Sequence, residues 1–390
     1  MRGRRRKAWG VFPPSERSRF TAMERKTILA RMTLSSGKRA WIAVAVLVAI
    51  LCGCGGAYFY YFRARIAALP VPTMKATPQQ ADLLSLLPGD APVTGFADLA
   101  TLKNSAFVQE FEKLGPSPAE DPDYSAFVRE TGFDYARDLD TVAVAAWPDF
   151  SSTQQLAPGG PAVPAFRVVV FGDGRFDAAK IAAYGTRSGR ATTVNGKVVY
   201  EFRDAATKDS LFVSLLSPGR IALAHGGNLD AVLGGKTTAV KPDRAAHLAR
   251  VTGRPIFIVA RLDNVLKELS LNFGSFDQLR TLLESLRWVT IAGQPNGANF
   301  EVGAEGDCDS ASNALQISTI LGGLRWFARS ALADPGNRQQ MTKDQVALAN
   351  YFLQATKVSN DGHWLNLKVT LTPAVLRLVL PPEPAPRKVR

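Results

Sequence analysis

Phe166 to Tyr184 reads FRVVVFGDGRFDAAKIAAY, and the body of the chain is built by repeating its order of strand, turn and helix. FRVVVF is β-branched and aromatic, the composition of a buried strand. Gly172-Asp173-Gly174 turns the chain. Asp177 can cap the next segment, and the spacing predicts a helix over Phe176–Arg187. Downstream, Thr192–Val194 and Lys197–Phe202 flank Asn195-Gly196, the strongest short hairpin signal in the chain. Leu211–Leu216 and Arg220–Ala224 pair across Ser217-Pro218-Gly219, and a short helix, Asn228–Leu233, closes this half. Upstream, Pro92–Asp98 is a strand leading into helices over Leu99–Leu114 and Tyr124–Thr131. Leu139–Trp147 alternates as a strand, and Gln154–Pro164 reads as a loop.

The second half repeats that order. Pro255–Arg261 is a strand leading into helices over Leu262–Leu271 and Phe276–Leu286. Arg287–Ala292 and Ala298–Ala304 flank the turn Gln294-Pro295-Asn296-Gly297. A long helix runs from Ser310 to about Leu332, with Asp309 as its cap and Ala314, Leu321, Leu324, Ala328 and Ala331 on its buried face. Its Gly322-Gly323 predicts a close helix–sheet approach or a kink. A helix over Asp344–Thr356 has no counterpart. Lys357–Ser359 and Trp364–Leu371 flank Asn360-Asp361-Gly362, and helix Ala374–Leu380 ends the half. The expected fold class is α+β, with two related units, 81–240 and 241–380. Each is expected to form a mostly antiparallel sheet with helices packed on one face. A linker at 63–80 and a Pro-rich tail at 381–390 bound them.

FGDGRFDAAKIAAY, NGKVVYEF and SLFVSLLSPGRIALAHGGNLDAVL together resemble a pattern in uncharacterised membrane-anchored or secreted bacterial proteins with a duplicated α+β unit. In these a Gly-x-Phe-Asp turn opens a helix, a Gly-containing hairpin comes next, and a strand pair leads into a short helix. The resemblance covers about residues 166–234 and implies architecture, without an activity to carry over.

Trp41 to Phe62, WIAVAVLVAILCGCGGAYFYYF, is 22 residues without a charge. At about 1.5 Å per residue it matches a hydrocarbon core of about 30 Å, so a transmembrane helix is expected there. Trp41, Tyr58, Tyr60 and Tyr61 fall where interfacial aromatics anchor a span in the lipid bilayer. Residues 1–40 hold twelve Lys/Arg against two Glu. Positive residues stay inside, so this basic leader is expected in the cytoplasm and the body in the periplasm or outside the cell, held at a bacterial inner membrane. Met32 also begins a basic-then-apolar segment, which makes 1–31 an over-extended start. Leu51-Cys52-Gly53-Cys54 resembles a lipoprotein box, so a lipidated Cys54 stands as the alternative to an uncleaved span.

The formal charge of +13 resides mostly in the leader, leaving the body near neutral. That excludes the basic face a nucleic-acid partner needs. Gly172-Asp173-Gly174-Arg175-Phe176-Asp177 lacks the third glycine of a dinucleotide loop, and Asp177 would repel a phosphate. His225-Gly226-Gly227 has no nucleophile elbow to serve. Ser35-Ser36-Gly37-Lys38 lies in the leader. Glu120, Asp121 and Asp123 read as surface loop. Glu301, Glu305, Asp307, Cys308 and Asp309 form the densest acidic cluster, with Glu301 and Glu305 expected on a solvated strand face. His225, His247 and His363 are far apart in sequence, so no metal or cofactor is expected. Cys308 reads as a buried small hydrophobe. The expected function is a non-enzymatic envelope module that binds a protein, an envelope polymer or a small ligand. The alternative is a hydrolase with a site assembled from distant residues.

Overall fold

The computed structural model describes residues 75–379 apart from 113–121, 156–161, 204–209, 227–232, 234–239, 263–281 and 340. The expected span at 41–62, its aromatic anchors, Cys54, the leader, and the tail lie outside the described residues. So do most of the predicted helices at Asn228–Leu233, Leu262–Leu271 and Phe276–Leu286. No helix among the described residues is long and apolar enough to cross a membrane.

In chain order the elements are α1 (Pro78–Ser85), β1 (Val93–Asp98), α2 (Leu99–Lys103), α3 (Ala106–Glu112), α4 (Pro122–Thr131), α5 (Tyr135–Asp138), β2 (Leu139–Gln155) and β3 (Ala162–Gly174). Then come α6 (Ala178–Ser188), β4 (Arg190–Val194), β5 (Lys197–Arg203), β6 (Ser210–Ser217), β7 (Arg220–His225), α7 (Pro242–Val251) and β8 (Ile256–Arg261). The chain continues through β9 (Leu286–Asn296), β10 (Asn299–Cys308), α8 (Ala311–Ala333), α9 (Pro335–Gln339), α10 (Lys343–Ala355), β11 (Lys357–Asp361), β12 (Trp364–Leu371) and α11 (Pro373–Val379). The fold is a mixture of α and β as expected, built on one antiparallel sheet of twelve strands among the described residues.

The sheet is continuous across both halves, in the order β11-β12-β10-β9-β8-β1-β2-β3-β7-β6-β5-β4. The two halves of the chain meet at the β1–β8 pair, where Phe96 faces Phe257 across the ladder, with five of the described strands on the β8 side and seven on the β1 side. Reading outward from that seam, each side begins with one strand and then a hairpin, β2–β3 or β9–β10. Beyond the hairpin lies a strand out of chain order, β7 or β12. Turn chemistry sets the registers: Asn195 (φ 50°) and Gly196 (φ 76°) make the β4–β5 turn, and Gly297 and Gly362 sit at positive φ in two others. The β2–β3 hairpin is longer than expected. Thr153 pairs with Pro164 and Gln155 with Ala162, so strand pairing enters the expected loop from both ends.

Helices cover both faces, which corrects the one-faced expectation. On one face Ala222, Phe171, Ala143, Phe96, Phe257 and Ala292 stand in register across five strand pairs. The large and small side chains interdigitate with Leu83 of α1, with Leu87 after it, and with Leu248 and Val251 of α7. On the other face Ile256, Ile291, Phe300, Val302 and Leu371 pack under Leu102, Phe107, Phe352, Val375 and Leu376. Farther out, Leu365 and Val358 pack under Ile317, Leu321 and Leu324 of α8. In α8 Ala314, Leu321, Leu324 and Ala328 are buried as expected, Ile317, Arg325 and Leu332 are buried as well, and Ala331 is only half-buried. Ser310 caps it, accepting from the Asn313 N–H at 3.1 Å, while Asp309 holds the Asn313 side chain. Gly323 is exposed, so no close approach to the sheet occurs there.

The sequence reading places no helix at α7, and the expected body begins only after the first residues of α1. Each of these helices opens with Pro at its N-terminus, and each buries polar side chains: Gln80 in α1, Arg244 and His247 in α7. Gln80 ties α1 to the turn that follows α7, donating to the Arg254 carbonyl at 3.2 Å and accepting from the Gly253 N–H at 2.7 Å.

Candidate functional site

Trp288, Asp307 and Trp364 stand side by side on adjacent strands β9, β10 and β12. Helix α7 lies over this row because its residues 243, 247 and 250 recur at helical spacing and point one way. His247 stacks on Trp288 with ring centroids 4.7 Å apart and meets Trp364 edge-on at 5.5 Å. Arg250 lies over the Trp364 ring with Cζ 3.8 Å from its centroid. These residues, with Asp243, Ala246, Arg261 and Arg287, line a cleft of about 470 Å³.

The acidic residues are held at several points. Asp307 is 6% exposed. Nη2 of Arg287 donates to its two oxygens at 3.1 and 3.3 Å. His247 Nε2 is 3.4 Å from Oδ2 and His363 Nε2 3.6 Å from Oδ1. Arg250 Nε donates to Glu305 Oε2 at 2.6 Å. Burial holds the His247 imidazole below its ordinary pKa, outweighing the opposing pull of Asp307. Its Nδ1 and Oε1 of Glu305 are buried with no hydrogen-bond partner among the described residues. Arg244, one turn earlier, is buried and donates to the Pro88 carbonyl and to Thr94 Oγ1.

Several expectations are corrected here. Glu305 is buried beneath α7 instead of standing on a solvated face; Glu301 accepts from Gln294 and Asn296 nearer the strand end. His247 and His363, distant in sequence, meet at one carboxylate. His225 stays at an exposed strand end, away from both. Among the described residues no group of three His, Cys, Asp or Glu could hold a metal ion. Asp173 binds Arg220, and Asp177 caps α6 through the Lys180 N–H at 3.1 Å, so the Gly172–Asp177 turn is structural. Cys308 is fully buried, its thiol pushed up to about 11 by burial.

Sequence reasoning missed Arg250, Arg261, Arg287, Trp288 and Trp364 as site residues. The signal was available in PDRAAHLARV, where Pro242 can open a helix and Asp243, His247 and Arg250 share one side of it.

The cleft walls offer guanidinium groups, an imidazole and carboxylates, but none of the lining residues carries a hydroxyl or thiol nucleophile. The arrangement can bind and orient a polar ligand. No protein-family model matches the chain, and no curated protein sequence matches it significantly. Among solved structures it is similar to crystal form I of TP0453 (12% identity, TM-score 0.40, covering 77% of this chain and 96% of that one). It is similar to form III of the same protein at 13% identity and the same TM-score, covering 77% and 97%.

Proposed function

We propose that this chain is a single-pass bacterial envelope protein whose body, outside the cytoplasm, binds a ligand in the cleft beneath α7. The single observation behind the binding reading is the cleft itself, where Trp288, Asp307, Trp364, His247 and three arginines converge. The anchor rests on the uncharged stretch 41–62 behind a leader rich in Lys/Arg. We read the matched strand order on either side of the β1–β8 seam as a duplicated α+β unit joined edge to edge. Carbonate washing of membranes and protease treatment of spheroplasts test the anchor: the chain stays with the membrane and the body is digested from outside. Release by carbonate, or a protected body, refutes it. Labelling with palmitate separates a lipidated Cys54 from an uncleaved span.

A second reading, a hydrolase, is favoured by Asp307 lying between two imidazoles, with His363 half-exposed. His363 would take a proton from water while Asp307 orients its ring. Turnover of p-nitrophenyl acetate that disappears in His363→Gln would favour it. Equal slow turnover in both proteins would exclude it.

A further inference from the structure

We infer that the cleft beneath α7 accepts an oxyanion, a carboxylate or phosphate on a small ligand, held by the outer edges of Arg250 and Arg287. This deepens the binding reading above and rests on it. A guanidinium is a planar fork of five N–H donors. Arg250 commits its Nε to Glu305 at 2.6 Å, and Arg287 commits one terminal nitrogen to Asp307. Among the described residues neither side chain makes another hydrogen bond, and both line the same cleft. Each guanidinium is thus fixed on one edge by a buried carboxylate and presents the remaining donors.

Fixing the forks in this way lowers the ordering cost of binding. Charge-assisted, two-point hydrogen bonds to an oxyanion are also the strong ones. The tryptophans support the same use. Trp288 is buried under His247, and Trp364 carries Arg250 on its ring. The indoles therefore present guanidinium to the cleft in place of a bare stacking face. The carboxylates lining the cleft are Asp307, already held by Arg287, and Asp243, whose Oδ1 accepts the Arg244 N–H at 2.8 Å. The volume of about 470 Å³ lies in the range of small-molecule sites, about 300–1,000 Å³. The anion would therefore be one end of a larger body.

The test is calorimetric titration of the full-length chain in detergent with inorganic phosphate and, separately, succinate, at ionic strength matched with sodium chloride. Arg250→Lys and Arg287→Lys each keep a cation beside the buried carboxylate and remove the fork. Arg203→Lys, far off on β5 and paired with Glu201, is the control. Saturable binding of either anion is expected in wild type and control, with affinity about tenfold or more weaker in each cleft variant. Phosphate alone, or succinate alone, identifies which oxyanion is preferred, and either supports the inference. No saturable binding to wild type, or equal binding by the cleft variants, overturns it. A companion titration uses envelope small molecules split by charge on an anion exchanger. Binding confined to the uncharged fraction, and lost in Ala246→Trp, refutes the oxyanion and leaves the binding reading standing. Binding by no fraction sinks both.

Discussion

On one face of the sheet, the two halves handle a largely buried acid in different ways. Counting outward from the seam, Asp173 on β3 and Glu305 on β10 occupy matched positions. Asp173 takes its cation from the next strand, where Arg220 donates to it at 2.6 and 2.8 Å, and Arg220 in turn holds Asp82 of α1 at 2.6 Å. That closes the polar set within the packed layer. Glu305 takes its cation, Arg250, from the helix above. The same contrast appears two residues away, where Phe171 is 2% exposed but the matched residue is Gly303, above which a Cβ would meet open space. An acid neutralised from within the sheet allows the layers to close. One neutralised from the overlying helix, beside a missing side chain, leaves room for a ligand.

The largest effect should come from the seam that both halves share. Phe257→Ala removes a side chain stacked on Phe96 at 5.7 Å and should cost about 3–5 kcal/mol in denaturant unfolding. A loss below about 1 kcal/mol would mean that the halves do not depend on each other there. Next is the closed polar set: Arg220→Ala leaves Asp173 mostly buried without its cation and should cost about 3 kcal/mol. A neutral result would show the first half to be as open as the second.

Two glycines sharpen the contrast further. A Cβ on Gly185 of α6 would meet the Tyr200 ring at 2.5 Å, so Gly185→Ala should destabilise by about 1–3 kcal/mol. Gly303→Ala, with open space above it, should be neutral or stabilise by up to about 1 kcal/mol. Opposite signs in thermal melts are the expected outcome; equal losses would refill the second half. His247 gives a smaller, pH-dependent effect. Its folded pKa lies below the unfolded value of about 6.5, so below that pH the unfolded chain binds more protons and stability falls. Between about pH 7.5 and 5.5 the loss should be about 1 kcal/mol greater in wild type than in His247→Phe, which keeps the stack on Trp288. Parallel pH profiles would show that His247 is not held neutral.

The strands and tight turns are legible because their signals are local. Asn195-Gly196 determines its hairpin wherever the rest of the chain goes, and FRVVVF is a strand in any antiparallel setting. Leu99–Leu114 reads as one helix in the sequence but is two in the fold. It breaks at Ser105, whose buried Oγ accepts the Val108 N–H and restarts the helix as α3. Helix α7 is hard to read because its buried face sets Arg244 and His247 beside Val251, so the segment is polar on average although it is amphipathic. The solvated reading of Glu305 has the same origin, since the helix that meets its carboxylate, α7, lies more than fifty residues earlier. The cleft needs β9, β10, β12 and α7 together, and no window of sequence contains all four.

The central claim is that ligand binding belongs to the second half alone. Trp147 on β2 and Trp288 on β9 make a pair of reporters, one in each half, each with an arginine about 6 Å from its ring, Arg167 and Arg261 respectively. Fluorine NMR of 5-fluorotryptophan-labelled full-length protein, assigned by Trp→Phe variants and titrated with the envelope small-molecule pool, reads both at once. The account predicts that the Trp288 and Trp364 resonances move saturably while Trp147 stays still. Movement of Trp147 with Trp288 unmoved would contradict it.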